Sequence, residues 1–205
     1  MSPLETLGFA LGTSFASGLN VYATVAAAGI MQRLGVVQLP DSLQVLSHPI
    51  VLGVAVTLFV VEFIADKIPY VDSAWDALHT FIRPPAAAVL SYSAFGNVSE
   101  EWKLGAALLA GGVALTSHGA KATTRAAANT SPEPVSNWVL SVFEDGLAVV
   151  LVWLAAEYPL LTAGIVVVLV IIAVLLIRKL WRFAQQLANR VRPKRAGSVG
   201  PPAGA

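Results

Sequence analysis

The sequence predicts an all-α fold, a polytopic membrane bundle of about six transmembrane helices, and three observations carry that expectation. Hydrophobic residues make up 56% of the 205 positions and the mean hydropathy is +0.71, far above the soluble average. Uncharged stretches from Thr6 to Gln32 and from Leu160 to Ile177 meet the requirement of about 20 apolar residues for crossing a bilayer. Between two such segments, the stretch from Val60 to Pro85 packs Glu62, Asp66, Lys67, Asp72, Asp76, His79 and Arg83 into a chain whose charged fraction is 12%. Ionisable groups at membrane depth cost roughly 2.5 to 3.5 kcal/mol each, so they face a bundle interior or a wet cavity and pair with one another.

The first span covers roughly Glu5 to Leu34. It has no basic residue near its start, so it reads as a retained span and not as a cleaved signal. Gly18 and Asn20 interrupt it, which leaves two readings: a helix break whose freed backbone lines a cavity, or a close helix crossing on Ser17, Gly18, Ala23, Ala26 and Ala27. Pro40, Asp41 and Pro49 make the segment from Gly35 to Pro49 a short external loop. The second span, Ile50 to Asp66, holds eleven Ile, Val, Leu or Phe residues, and at about 0.3 to 0.6 kcal/mol apiece these carry Glu62 and Asp66 into the membrane.

Pro69 breaks the helix and Val71 to Arg83 restarts it, with Asp72 as the expected cap. Asp72, Asp76, His79 and Arg83, spaced by four, three and four, lie within about a 60° arc of one helix face. Pro84 and Pro85 interrupt the third span before its second half, and an acidic external turn, GNVSEEWK, follows. The fourth span, Leu104 to Ala127, ends in a cationic stripe of His118, Lys121 and Arg125, again within about a 60° arc. A loop at residues 129–134 leads to the fifth span, Ser136 to Glu157, which holds Glu144 and Asp145. A tight EYP turn enters the sixth span, and Trp102, Trp138, Trp153 and Trp181 are expected at interfaces or facing lipid.

Residues 1–190 are thus expected to form one transmembrane domain and residues 191–205 a disordered cytoplasmic tail. From Arg178 to Arg195 the chain carries seven Lys or Arg residues and no acid, so the positive-inside bias puts this end in the cytoplasm. Six spans of an inner-membrane protein then place both termini inside and Lys67, Arg83, Lys121 and Arg125 on the cytoplasmic side. Positions 100 apart match weakly between the first and fourth spans: Ala10 and Ala110, Gly12 and Gly112, Ser17 and Ser117, Thr24 and Thr124. Either two inverted three-span halves, 1–100 and 101–190, produce these matches, or small residues coincide by chance.

The chain has no cysteine, which excludes disulfides, thiolate metal sites, a cysteine nucleophile and palmitoylation. The polar positions that could form an ion or substrate pathway are Asn20, Glu62, Asp66, Lys67, Asp72, Asp76, His79, Arg83, His118, Lys121, Arg125, Glu144 and Asp145. Six acids face six bases if both histidines are protonated, the expected solution for a buried network. Proton- or ion-coupled transport, as a transporter or channel, is the leading expectation, because buried carboxylates and histidines exchange protons near neutrality. The cationic stripe beside Arg83 would suit an anion or a phosphate headgroup.

A non-catalytic scaffold or assembly factor, its charges knitting helices together and its basic end meeting anionic lipid, is the alternative. A metal-dependent enzyme acting on lipid through Asp72, Asp76, Glu62 and Asp66 ranks below both, since no catalytic motif accompanies those acids. No catalytic residue, metal site or cofactor is assigned. The partners expected are the lipid bilayer, a small ion or anionic substrate and a second copy of the chain, with no nucleic acid.

Four stretches, SGLNVY, EFIADKIPYVDSAWDALHTFIRPP, SHGAKATTR and FEDGLA, make the chain resemble a bacterial integral membrane family known as domain of unknown function 4126. The resemblance runs from residue 10 to about residue 160, and the long central motif is its distinctive part. In that family the first motif more often has a basic residue and a proline where Asn20 and Val21 stand. The resemblance implies a compact helical membrane domain and brings no activity with it.

Overall fold

The computed structural model describes residues 1–68, 70–96, 98–129 and 135–191, and every regular element among them is a helix. Seven α-helices follow in order: α1 (Pro3–Arg33), α2 (Pro49–Ala65), α3 (Val71–His79), α4 (Arg83–Ala94), α5 (Glu100–Ala128), α6 (Val135–Glu157) and α7 (Pro159–Val191). Three helical stretches, Pro3–Arg33, Asn137–Glu157 and Pro159–Gln186, are long and apolar enough to cross a membrane. A fourth qualifies if α2 is taken with the 3₁₀ turn before it, from which it bends by 65°. Apolar helices of this length mark a membrane protein. The helices α3, α4 and α5 fall short of the same test because α3 and α4 are brief and the apolar stretch of α5 is diluted by Gly, Ser, Thr and His and flanked by charges at both ends.

Helix α1 is the axis of the bundle and packs against α2, α4, α5, α6 and α7. Its composition explains its position: Ala, Gly, Ser and Thr dominate its buried surface, so neighbouring backbones come close on all sides. Helix α7 lies at the other extreme, with Leu161, Val167, Val168, Ile171, Ile172 and Leu175 all exposed. An outward apolar face of this kind is what lipid solvates. The four tryptophans Trp102, Trp138, Trp153 and Trp181 are exposed or nearly so, as expected of lipid-facing anchors.

Local chemistry sets the helix ends. Ser2 and Glu5 form a reciprocal capping box at the start of α1, and His48 caps α2 through its ring nitrogen. A single residue, Tyr158, separates α6 from α7, as the EYP turn predicts. The segment after α1 is less external than its prolines suggest, because Val37, Leu39 and Leu43 fold back into the core around the 3₁₀ turn Asp41–Ser47.

Two boundaries differ from the sequence reading. Helix α3 ends at His79, and Pro84 and Pro85 occupy the first turn of α4, where a missing N–H costs nothing, so they start a helix instead of interrupting one. Asp72 is not the cap of α3, since the N-cap position belongs to Tyr70 and Asp72 lies inside the first turn. Pro69, residues 130–134 and the expected tail after Val191 lie outside the described residues.

Candidate functional site

The site begins with a fault in the central helix. Asn20 has φ −155° and ψ 104°, an extended conformation inside α1, so the helix is broken there. Its side chain restarts the helix: Asn20 Oδ1 accepts the backbone N–H of Ala23 at 2.9 Å, in the manner of an N-cap. The break leaves carbonyls of the first half without helical donors, and two of them, with the carbonyl of Phe15 one turn earlier, are met from other helices. Ser117 Oγ donates to Phe15 O at 2.9 Å, Arg83 Nη1 to Gly18 O at 2.9 Å, and Lys121 Nζ to Leu19 O at 3.1 Å.

The C-terminal end of a helix carries partial negative charge, so two cations at the end of this half-helix match its dipole. Gly18 makes the approach possible. A Cβ there would stand 1.8 Å from Ser117 Oγ and 2.3 Å from the carbonyl oxygen of Ala114. The break at Asn20 and the close crossing at Gly18 therefore occur together, but the freed carbonyls meet the side chains of Arg83 and Lys121 where the sequence reading expected a cavity.

From these two cations an alternating ladder of charge extends through four helices. Arg83 Nη2 lies 2.7 Å from Glu62 Oε1, which lies 3.2 Å from Lys121 Nζ. Lys121 Nζ is 2.8 Å from Asp66 Oδ2, and that oxygen is 2.9 Å from Arg125 Nη2. Arg125 closes the run on Glu144 Oε2 at 2.6 Å, with Lys121 3.8 Å from the same oxygen. Plus and minus alternate without a gap, and no ladder side chain is more than 8% exposed. On α5 the ladder and its flanking His118 run from His118 to Arg125, seven steps and about 10 Å along the helix axis at 1.5 Å per residue.

The histidines flank the ladder in neutral form. Arg83 has only donors, so His118 Nδ1, 2.7 Å from Arg83 Nη1, must accept. Nε2 then carries the hydrogen and donates to the backbone carbonyl of Asp76 at 3.0 Å, with the Thr80 hydroxyl 2.9 Å away. His79 stacks on Trp75 and is satisfied the same way, its Nδ1 2.8 Å from Trp75 O and its Nε2 3.1 Å from the Tyr22 hydroxyl. A neutral imidazole can fill both contacts as one donor and one acceptor.

Of the thirteen positions expected in a pathway, the structure gathers eleven around this ladder. Asp76 lies beside Arg83 at 3.6 Å, and Asp145 Oδ1 accepts from Asn20 Nδ2 at 2.8 Å. The remaining two stand apart. Asp72 is buried but turned to Ser73 and to Asn129 Nδ2, which donates to both its oxygens at 2.9 and 3.0 Å. Lys67 reaches Phe63 O at 2.9 Å and Ser141 Oγ at 3.3 Å and forms no ion pair within 4 Å among the described residues.

The even balance of six acids and six bases is therefore replaced by five carboxylates and three cations. Among the described residues no group of three His, Asp or Glu side chains converges as a metal ion requires, so Glu62, Asp66, Asp72 and Asp76 do not form a common oxygen cage. The sequence reading missed Tyr22, Thr80, Ser117, Asn129 and Ser141. Each is an uncharged residue whose role exists only through a partner far along the chain, and no spacing announces it.

No curated protein and no solved structure matches the chain. A family model does match, over residues 7–179, and it includes every helix that contributes to the ladder. On that match, the chain belongs to the family described as Domain of unknown function (DUF4126).

Proposed function

We propose that this protein is a six-span inner-membrane protein that moves a proton or a small cation along the buried ladder, either alone or coupled to a second solute. The observation that carries the reading is the conjunction of a broken central helix with a continuous ion ladder docked on the break. Interrupted helices that present charged ends to facing side chains near the membrane centre are the recurrent construction of ion-coupled transporters. The ladder also runs along the helix axes, the direction in which a transported charge travels, and structural charge pairs alone need no such alignment.

An anion is less well served than a proton or cation, because Arg83, Lys121 and Arg125 are already held by carboxylates and by backbone carbonyls. In the six-span reading α3 and α4 together make one broken span, since nine and twelve residues amount to roughly 30 Å at 1.5 Å per residue. Both termini lie in the cytoplasm. Two inverted halves gain support from the crossing of α1 and α5, where position 18 meets position 117, nearly the 100-residue offset of the sequence matches.

The test is reconstitution into liposomes loaded with a pH-sensitive dye, with imposed pH and potassium gradients. Wild-type protein should dissipate a gradient faster than protein-free vesicles, and Asp66→Asn should slow it at least tenfold. A wild-type protein that conducts neither protons nor alkali cations would turn the reading toward the scaffold, which the nearly complete burial of the ladder also accommodates.

A further inference from the structure

We propose that Asp76 and Asp145 are held as neutral carboxylic acids and are the two groups in this protein that take up and release protons. The inference names the ion of the ladder described above and rests on that reading. Within the ladder Glu62, Asp66 and Glu144 offset Arg83, Lys121 and Arg125 one for one, so the six form a neutral set. Asp76 and Asp145 remain, buried to 2% and 7% exposure with no cation of the ladder left over to balance them.

A buried ionised carboxylate persists only with a counter-charge or with several hydrogen-bond donors. Asp72 shows what the second solution looks like: it has no cation, but Ser73 N–H and Asn129 Nδ2 supply donors to its oxygens. Asp76 lacks the second solution, since both of its oxygens are without a hydrogen-bond donor. The nearest charge, Arg83 Nη2 at 3.6 Å, is out of hydrogen-bond range and is committed to Glu62. Asp145 receives one donor, from Asn20, and its Oδ2 receives none.

Asp76 faces Asp66 on α2, Arg83 on α4, and His118, Lys121 and Arg125 on α5. His118 is occupied by Arg83 and by the Asp76 backbone, so it cannot donate to the Asp76 carboxyl. Asp145 faces Asn20 on α1, Glu62 and Asp66 on α2, Lys67 beyond the end of α2, and Lys121 on α5. The two carboxylates of α2 oppose ionisation of Asp145, and Lys67 is turned to Phe63 and Ser141. Each aspartate thus binds one proton from bulk water in the arrangement described above. Each releases it, with a gain of one negative charge, when a rearrangement brings a cation of the ladder within hydrogen-bond reach.

Infrared difference spectroscopy on the full-length protein in lipid nanodiscs reads this directly through the carbonyl stretch of protonated carboxyl groups. At neutral pH the wild type should show two such bands that vanish at alkaline pH; Asp76→Asn should remove one and Asp145→Asn the other. The double variant exchanges neutral groups for neutral groups, so its melting temperature should stay within a few degrees of wild type, whereas Asp66→Asn, which breaks the ladder, should lower it clearly. Absence of both bands in the wild type, their survival in the double variant, or its failure to fold would each overturn the assignment. Liposome flux decides the transport reading separately: bands that behave as expected in a protein without flux uphold these proton sites and reject transport.

Discussion

Glu62 is the residue on which most of the ladder depends, because one oxygen, Oε1, serves both Arg83 at 2.7 Å and Lys121 at 3.2 Å. Glu62→Gln keeps the shape and removes the charge, leaving two buried cations with one counter-ion fewer. Breaking a buried pair from one side costs about 3 to 5 kcal/mol, so thermal unfolding in detergent should show a loss of that size, and a loss below about 1 kcal/mol would mean that the ladder is solvated. Gly18 presents a steric limit instead. Gly18→Ala places a methyl group against the Ala114 carbonyl and Ser117 Oγ, forcing α1 and α5 apart at a cost of about 1 to 3 kcal/mol, and the same unfolding measurement checks it. At the start of α5, Glu100 accepts from the Tyr92 hydroxyl at 2.5 Å and from Lys103 Nζ at 3.1 Å, and these bonds hold its carboxyl below the usual range. Their contribution is present above the unfolded glutamate value and fades as pH falls through the lowered one. Tyr92→Phe should move the Glu100 titration back up, as read by NMR of the labelled side chain.

Helix α1 carries the element-scale lesson, since its sequence announces an interruption but not what the interruption is for. Asn20 stands out in a run of small apolar residues, and a break there is legible from the sequence; that Arg83 and Lys121 would cap the freed carbonyls is not, because those partners lie 65 and 102 residues away. The helical periodicity of Asp72, Asp76, His79 and Arg83 predicts one buried face, and all four are buried. Periodicity sorts faces, however, and says nothing about which neighbour a face meets, so Asp72 reads as a ladder member until Asn129 is seen to claim it. Prolines mislead in the same way: Pro84 and Pro85 mark a boundary correctly, but only the backbone tells whether a proline ends one helix or opens the next. Substituting Asn20 by Ala removes the cap of the second half of α1 and the donor to Asp145 together. Loss of an N-cap alone costs about 0.5 to 2 kcal/mol, so a measured loss above that range assigns the excess to the Asp145 bond.

At the scale of the whole molecule the quantity to measure is the number of crossings, and the chain's own composition supplies the way to count them. Three helical stretches are apolar enough to be recognised alone, a fourth needs its bent neighbour, and α3 with α4 and α5 are too short or too charged to qualify. The charges of α3, α4 and the second half of α5 are nonetheless turned inward, which is what allows a charged helix to sit at membrane depth. Average hydropathy misses that, because it counts a buried ladder cation as if it faced lipid. Six crossings place Ser99 and Tyr158 on one side of the membrane and the segment at residues 130–134 with the basic end of α7 on the other. The chain has no cysteine, so single cysteines at Ser99, Tyr158, Thr130 and Gln186 report position without background. In intact cells a membrane-impermeant maleimide should label the first two, and the last two should react only after permeabilisation. Four crossings formed by α1, α2, α6 and α7 alone would leave α3, α4 and α5 together on one side, so cysteines at Ser99 and Thr130 would then share one labelling behaviour.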